Sequence, residues 1–240
     1  MNHLILIRHG QSVWNLEKRF TGWVDVELTV QGKLEANKSG ELIKKLNLKI
    51  NNFFCSYQKR AINTLDLIVN TINSKPNQIT KAWELNERHY GELTGLNKDQ
   101  MKKVYGEKKI HIFRRSWDMS PAPLNKNNPY HPLNIEIYKN IPRDKIPDTE
   151  SLKNTYERVI YYYLKKIEPL IQNGQNVLIS AHGNTLRALC KKLFNISDKN
   201  ILRLEIPTGN PLLIKFKNNL KIDGCRYLDS SRSKDLLVKF

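Results

Sequence analysis

The chain has 240 residues, 40% of them hydrophobic, and carries 40 Lys and Arg against 23 Asp and Glu for a formal net charge of +17. That length suits one domain over residues 1–240 with a sizeable core, while no apolar stretch reaches bilayer length and Arg8 cuts the leading apolar run too short for a signal peptide, so a cytoplasmic protein with no membrane partner is expected. The cations are scattered, with no zinc module, aromatic RNA-binding signature or basic block, which argues against a nucleic-acid partner and leaves either a field that attracts small polyanions or a plain solvated basic surface.

In chain order, Leu4-Ile5-Leu6-Ile7 reads as a strand buried on both faces, and it stops in Arg8-His9-Gly10. Val30, Leu34, Leu42 and Leu46 share a helical spacing, and Phe53 to Ser56 follows as a short strand. Ala61, Leu65, Ile68, Val69 and Ile72 predict a second helix, and Ile79 to Leu85 the next extended segment. Six of the ten prolines lie between Ser116 and Asp148, so about 116–148 is expected to be a loop-rich insertion. Asp148 or Thr149 then caps a long helix ending near Gly174. A second buried strand, Val177-Leu178-Ile179-Ser180-Ala181, ends in His182-Gly183-Asn184 and runs into a helical pattern at Leu186, Leu189, Cys190 and Leu193.

Alternating strands and helices predict an α/β fold, and open sheets of that kind bind ligands beyond the carboxyl ends of their strands. His9 and His182 stand at that edge. An ordinary imidazole titrates near about 6.5, so a histidine there offers a lone pair at physiological pH without first losing a proton. Cys55, Cys190 and Cys225 are too dispersed for a disulfide framework or a metal site and read as reduced thiols, the first two as small core residues.

Arg8-His9-Gly10-Gln11-Ser12-Val13-Trp14-Asn15, Phe20-Thr21-Gly22-Trp23, Leu85-Asn86-Glu87-Arg88-His89-Tyr90-Gly91, Arg114-Arg115 and Ala181-His182-Gly183-Asn184 resemble the histidine phosphatase superfamily and, within it, the cofactor-dependent phosphoglycerate mutases. The Arg-His-Gly element marks the superfamily, and the Thr-Gly-Trp, Glu-Arg-His-Tyr-Gly and Arg114-Arg115 elements together mark the mutases. The likeness runs from Leu4 to about Phe216, and the tail from about 217, which includes Arg226, Arg232, Lys234 and Lys239, reads as variable.

The resemblance implies a three-layer αβα sandwich with a mostly parallel central sheet. It further implies interconversion of 3-phosphoglycerate and 2-phosphoglycerate through a phosphohistidine, with 2,3-bisphosphoglycerate as primer and intermediate and no metal. In that reading His9 is the nucleophile, Glu87 the general acid and base, and Arg8, Arg60 and His182 surround the phosphoryl group. Substrate binding falls to Asn15, Thr21, Gly22, Arg88, Tyr90, Lys98, Arg114, Arg115, Gly183 and Asn184, and a homodimer or homotetramer is the familial expectation. Trp14 and Trp23 read as packing residues. Gln11 stands where many mutases carry Glu, and Asn210 where an aliphatic residue is common. The alternatives are a phosphatase of the same superfamily acting on small phosphate esters and a noncatalytic polyanion-binding protein.

Overall fold

The computed structural model describes residues 2–76 and 78–237. Six strands form one sheet in the order β3-β2-β4-β1-β5-β6, with β1 at Asn2–Arg8, β2 at Asn52–Cys55, β3 at Ile79–Lys81, β4 at Val177–Ala181, β5 at Leu212–Phe216 and β6 at Ile222–Tyr227. The pairings among β3, β2, β4 and β1 are parallel, whereas β5 runs antiparallel to β1 and β6 antiparallel to β5.

Side-chain alternation along the strands builds two apolar layers. Ile5, Ile7, Phe53, Cys55 and Leu178 face Ile43 of helix α2 (Val30–Lys44) and Leu65, Ile68 and Val69 of helix α3 (Lys59–Thr71). Leu4, Leu6, Phe54, Val177 and Ile179 face the opposite layer, which includes Val159 and Ile160 of α6 (Leu152–Tyr162) and Leu186 and Leu189 of α8 (Gly183–Leu193). Each such side chain contributes about 1.5–3 kcal/mol by leaving water.

Register places the chemistry. Leu4 pairs with Val177 and the ladder ends at Arg8 opposite Ala181, so the next residues, His9 and His182, emerge side by side. Cys55 pairs with Ser180 on the other side of β4, which brings Ser56 to the same edge.

Several predicted elements change on folding. The apolar spacing of α2 does not mark its buried face: Val30 and Leu34 are 78% and 57% exposed, while Gly32, Ala36, Ser39, Gly40 and Ile43 are buried. Small residues win because the helix packs against backbone. A Cβ on Gly10 would lie 2.1 Å from the Gly32 carbonyl oxygen, and one on Gly32 would lie 2.1 Å from that of Gln11. The extended segment after Asn77 is only the three residues of β3, followed by a 3₁₀ turn at Trp83–Leu85.

The helix after the insertion is capped by Ser151, not by Asp148 or Thr149. Its hydroxyl accepts from the Asn154 N–H while the Asn154 side chain accepts from the Ser151 N–H. The predicted long helix is broken by a π turn at Tyr163–Ile167 before it resumes as α7 (Glu168–Gln172) with Pro169 in its first turn. Proline lacks the N–H that would bond four residues back, and the wider turn accommodates that loss.

Between Ser116 and Asp148 the described residues contain no α-helix or strand, only 3₁₀ turns at Pro132–Asn134, Glu136–Tyr138 and Arg143–Lys145. This segment closes over Trp23: the buried Tyr138 hydroxyl donates to the Trp23 carbonyl at 2.5 Å, and the two rings lie 4.9 Å apart. Trp14 is likewise a packing residue, with the Arg19 guanidinium 3.8 Å above its ring.

Cys55 and Cys190 are buried in opposite layers with their thiols pushed up by burial, to about 12 for Cys55. Cys225 lies half-buried on β6, its thiol pushed up to about 11. Among the described residues no helix is long and apolar enough to cross a membrane.

Candidate active site

A cavity of about 220 Å³ opens at the carboxyl edge of β1 and β4. Its wall brings together thirteen of the fifteen residues expected there: Arg8, His9, Asn15, Thr21, Gly22, Arg60, Glu87, Tyr90, Lys98, Arg114, Arg115, Gly183 and Asn184. These come from segments spread over most of the chain.

At its base, His9 is 2% exposed, and its Nδ1 lies 2.7 Å from the Gly10 carbonyl oxygen. A carbonyl only accepts, so Nδ1 carries the hydrogen and Nε2 keeps its lone pair. Burial holds the imidazole well below the ordinary histidine range, and the Arg60 and Arg8 cations push it lower still. The ring is therefore neutral at physiological pH.

His182 does not line the cavity wall but packs behind it, its ring centroid 5.0 Å from that of His9. Its Nε2 lies 2.7 Å from the Ser56 hydroxyl, which itself accepts from the Gln58 N–H. The hydroxyl can accept from or donate to Nε2, and His182 Nδ1 is buried without a partner.

Arg8 and Arg60 are held by backbone. Arg8 Nη1 donates to the Ile206 carbonyl at 2.8 Å, and its buried Nε has no partner. Arg60, at the start of α3, donates to the Val24 and Gly22 carbonyls, both at 2.9 Å. Gly22 has φ of +54°, and a Cβ there would meet the Tyr90 N at 3.3 Å, so this turn suits glycine.

Glu87 is oriented by two backbone donors: its Oε1 accepts from Arg88 N–H at 2.8 Å and Asn184 N–H at 3.2 Å. Gln58 ties the turn at Gly22 to the Glu87 backbone, donating to the Gly22 carbonyl and accepting from Glu87 N–H. Asn184 donates through its side-chain amide to the Tyr90 hydroxyl at 2.9 Å.

Arg88 is the second expected residue outside the wall. It is fully buried, donates to the Phe113 carbonyl, and stacks at 4.6 Å on the Tyr90 ring with Nε and Nη1 unpartnered. Opposite His9 lie the cations of α4 (Lys98–Tyr105) and α5 (Glu107–Arg115). Lys98 donates to the Arg19 carbonyl, and burial together with Arg114 and Arg8 pushes its ammonium down to about 8. Arg115 reaches the Leu204 carbonyl and Glu205 Oε1, the latter at 2.6 Å.

The wall also contains Lys234 of the tail, and Arg187, Glu205, Ile206 and Pro207, which the sequence did not single out. Lys234 arrives on the tail, whose base is tied down by a reciprocal pair. Asn210 Nδ2 donates to the Asp229 carbonyl at 2.9 Å, and Asp229 N–H donates back to Asn210 Oδ1 at 3.0 Å. Arg232 adds bonds to the Thr208 and Gly209 carbonyls. Asn210, buried where an aliphatic residue is common, is thus fully paired. Lys239 lies outside the described residues. Gln11 accepts from the Thr29 hydroxyl at 3.0 Å, and Glu35 takes the Gln11 N–H, so Glu35 supplies a carboxylate at this corner.

Comparison with known proteins places these features in a family. The family model for the histidine phosphatase superfamily (branch 1) matches residues 4–129 and 128–221. A 2,3-bisphosphoglycerate-dependent phosphoglycerate mutase of Pelagibacter ubique (strain HTCC1062) is 63% identical over 238 residues, 99% of this chain and 100% of that protein. One of the same name from Maricaulis maris (strain MCS10) is 46% identical, covering 98% of each. Among solved structures, a mycobacterial glucosyl-3-phosphoglycerate phosphatase superposes with a TM-score of 0.69 at 19% identity, covering 95% of this chain and 97% of that one. The alpha-ribazole phosphatase of Shigella flexneri gives 0.64 at 20% identity, covering 91% and 92%. At such identities these two speak for the fold alone. The chain belongs to the histidine phosphatase superfamily and, within it, to the 2,3-bisphosphoglycerate-dependent phosphoglycerate mutases.

Proposed function

We propose that this cavity interconverts 3-phosphoglycerate and 2-phosphoglycerate in glycolysis and gluconeogenesis, with the phosphoryl group carried on Nε2 of His9. The observation that carries the reading is the pairing of a neutral imidazole, its Nδ1 tied to the Gly10 carbonyl, with a carboxylate, Glu87, inside one cationic cavity. Phosphoryl transfer needs alignment and charge neutralisation more than covalent help. Arg8 and Arg60 supply donors for the equatorial oxygens, and Lys98, Arg114 and Arg115 supply cations for a carboxylate or second phosphate.

2,3-Bisphosphoglycerate suits this donor set, since the unpartnered buried Nε of Arg8, on the cavity wall, would be satisfied by a phosphate oxygen. When bound, it supplies the phosphoryl group that primes His9. In the first transfer Nε2 of His9 gives its phosphoryl group to the free hydroxyl of the bound monophosphate, and Glu87 accepts that hydroxyl's proton. His9 then takes the other phosphoryl group as its ester P–O bond breaks, and Glu87 returns the proton to the oxygen released. Arg88 acts through Tyr90 and α5 by this reading. The proposal includes action in the cytoplasm and a homodimer or homotetramer, both supported by family membership. The whole chain, 1–240, works as one domain.

Lys98 gives this site a pH signature. An ammonium with a depressed pKa loses its charge as pH rises through that value, here about 8. KM for 3-phosphoglycerate is expected to rise severalfold between pH 7 and 9, and this rise should vanish in Lys98→Gln. Steady-state kinetics across that range check it.

The reading itself is tested by phosphorus NMR with 3-phosphoglycerate and catalytic 2,3-bisphosphoglycerate. Isomerisation should far outpace release of inorganic phosphate and survive excess EDTA, since no proposed role requires a metal ligand. Phosphate release faster than isomerisation would make the chain a phosphatase.

A further inference from the structure

Arg187, on α8, is 3% exposed and has no carboxylate within ion-pairing distance among the described residues. A buried cation in that state is costly unless its donors are well used. Its fork reaches two parts of the cavity wall, at Asn184 and at the Arg114-Arg115 pair, and the Ile201 carbonyl outside it. Nη1 donates to Asn184 Oδ1 at 2.8 Å and lies 3.5 Å from the Arg114 carbonyl. Nη2 donates to the Arg115 carbonyl at 2.9 Å and the Ile201 carbonyl at 2.7 Å.

The Arg114 and Arg115 carbonyls belong to the last turn of α5, where helical carbonyls lack intrahelical donors. Arg187 fills that need and so fixes the orientation from which both guanidinium groups enter the cavity. Ile201 precedes Leu204 and Glu205, the two acceptors that hold the Arg115 guanidinium. The same fork therefore sets Arg115 from its backbone and from its side-chain partners, and it orients Asn184, whose amide holds Tyr90.

We propose that Arg187 is the positioning residue for the anion-binding wall opposite His9, and that it governs affinity for the phosphoglycerate and not the transfer at phosphorus. The inference rests on the reading of this cavity as the phosphoglycerate site. Lysine keeps the charge but cannot span carbonyls of α5, Ile201 and Asn184 at once, so charge and geometry separate experimentally.

In Arg187→Met, which keeps the aliphatic volume, KM for 3-phosphoglycerate is expected to rise about tenfold or more with kcat within about threefold of the parent. Arg187→Lys should show a smaller rise in KM of the same kind and serves if the methionine variant does not fold. Calorimetric titration of 3-phosphoglycerate into folded variants should show the same loss of affinity, and it reads the wall even if the parent proved to release phosphate instead of isomerising. A folded variant with unchanged KM and affinity, or with kcat lowered at unchanged KM, would overturn the assignment.

Discussion

His9→Ala is expected to eliminate the phosphoenzyme formed with 2,3-bisphosphoglycerate and to lower isomerisation by on the order of 10⁴-fold or more, because no other group in the cavity can take over the covalent step. His182, the nearest second imidazole, is committed through Nε2 to Ser56 and sits behind the wall. The fold should survive. The His9 imidazole, buried among cations, hydrogen-bonds only to the neighbouring Gly10 carbonyl, while the backbone bond from His9 N–H to the Ala181 carbonyl is kept in alanine, so the substitution breaks no hydrogen bond between elements. Intact-protein mass spectrometry after incubation with the bisphosphate, alongside thermal melting, separates loss of the nucleophile from loss of structure. A phosphate adduct retained by the variant would place the nucleophile elsewhere.

Glu87→Gln is expected to act on turnover instead. Oε1 of the carboxylate accepts two backbone N–H groups, from Arg88 and Asn184, and a glutamine carbonyl can accept both in the same place. Shape and orientation persist while the capacity to shuttle a proton does not. The expected result is a fall in kcat of about 10²–10⁴-fold with the dissociation constant for 3-phosphoglycerate changed only severalfold. Titration calorimetry beside steady-state kinetics measures the two quantities independently. Preserved turnover with lost affinity would make Glu87 a binding residue.

What the sequence made legible was the chemistry attached to strand ends. Two apolar runs terminating in His-Gly were enough to set His9 and His182 at one sheet edge, since parallel neighbours in register deliver their next residues together. Features created by close backbone approach were not legible. The buried face of α2 is chosen by Gly10 and Gly32 fitting against each other's segments, which no hydrophobic period encodes. The cap at Ser151 was missed although Asn154 stands at the reciprocal position, because Asn is a less familiar partner there than Glu or Gln.

Site residues supplied through long-range contacts were hidden for a related reason. Arg187 lies within an apolar helical stretch, and its partners at Arg114 and Arg115 are more than seventy residues away. The available signal was its place three residues after Asn184, on the same side of the helix, as an arginine among Leu186, Ala188 and Leu189. Arg88 shows the converse: a residue inside a matched motif whose guanidinium turns away from the cavity to stack on Tyr90. Motif membership marked the neighbourhood, and the direction of the side chain depended on packing against α5.

The central claim is that one specific nitrogen carries the phosphoryl group. It is tested most directly by phosphorylating histidine-labelled protein with 2,3-bisphosphoglycerate and reading the phosphorus–nitrogen coupling by NMR. The 2.7 Å contact between Nδ1 and the Gly10 carbonyl leaves Nε2 as the nucleophile, so coupling to Nε2 of His9 is the predicted result. Phosphorus attached to Nδ1, or to any residue other than His9, would contradict it.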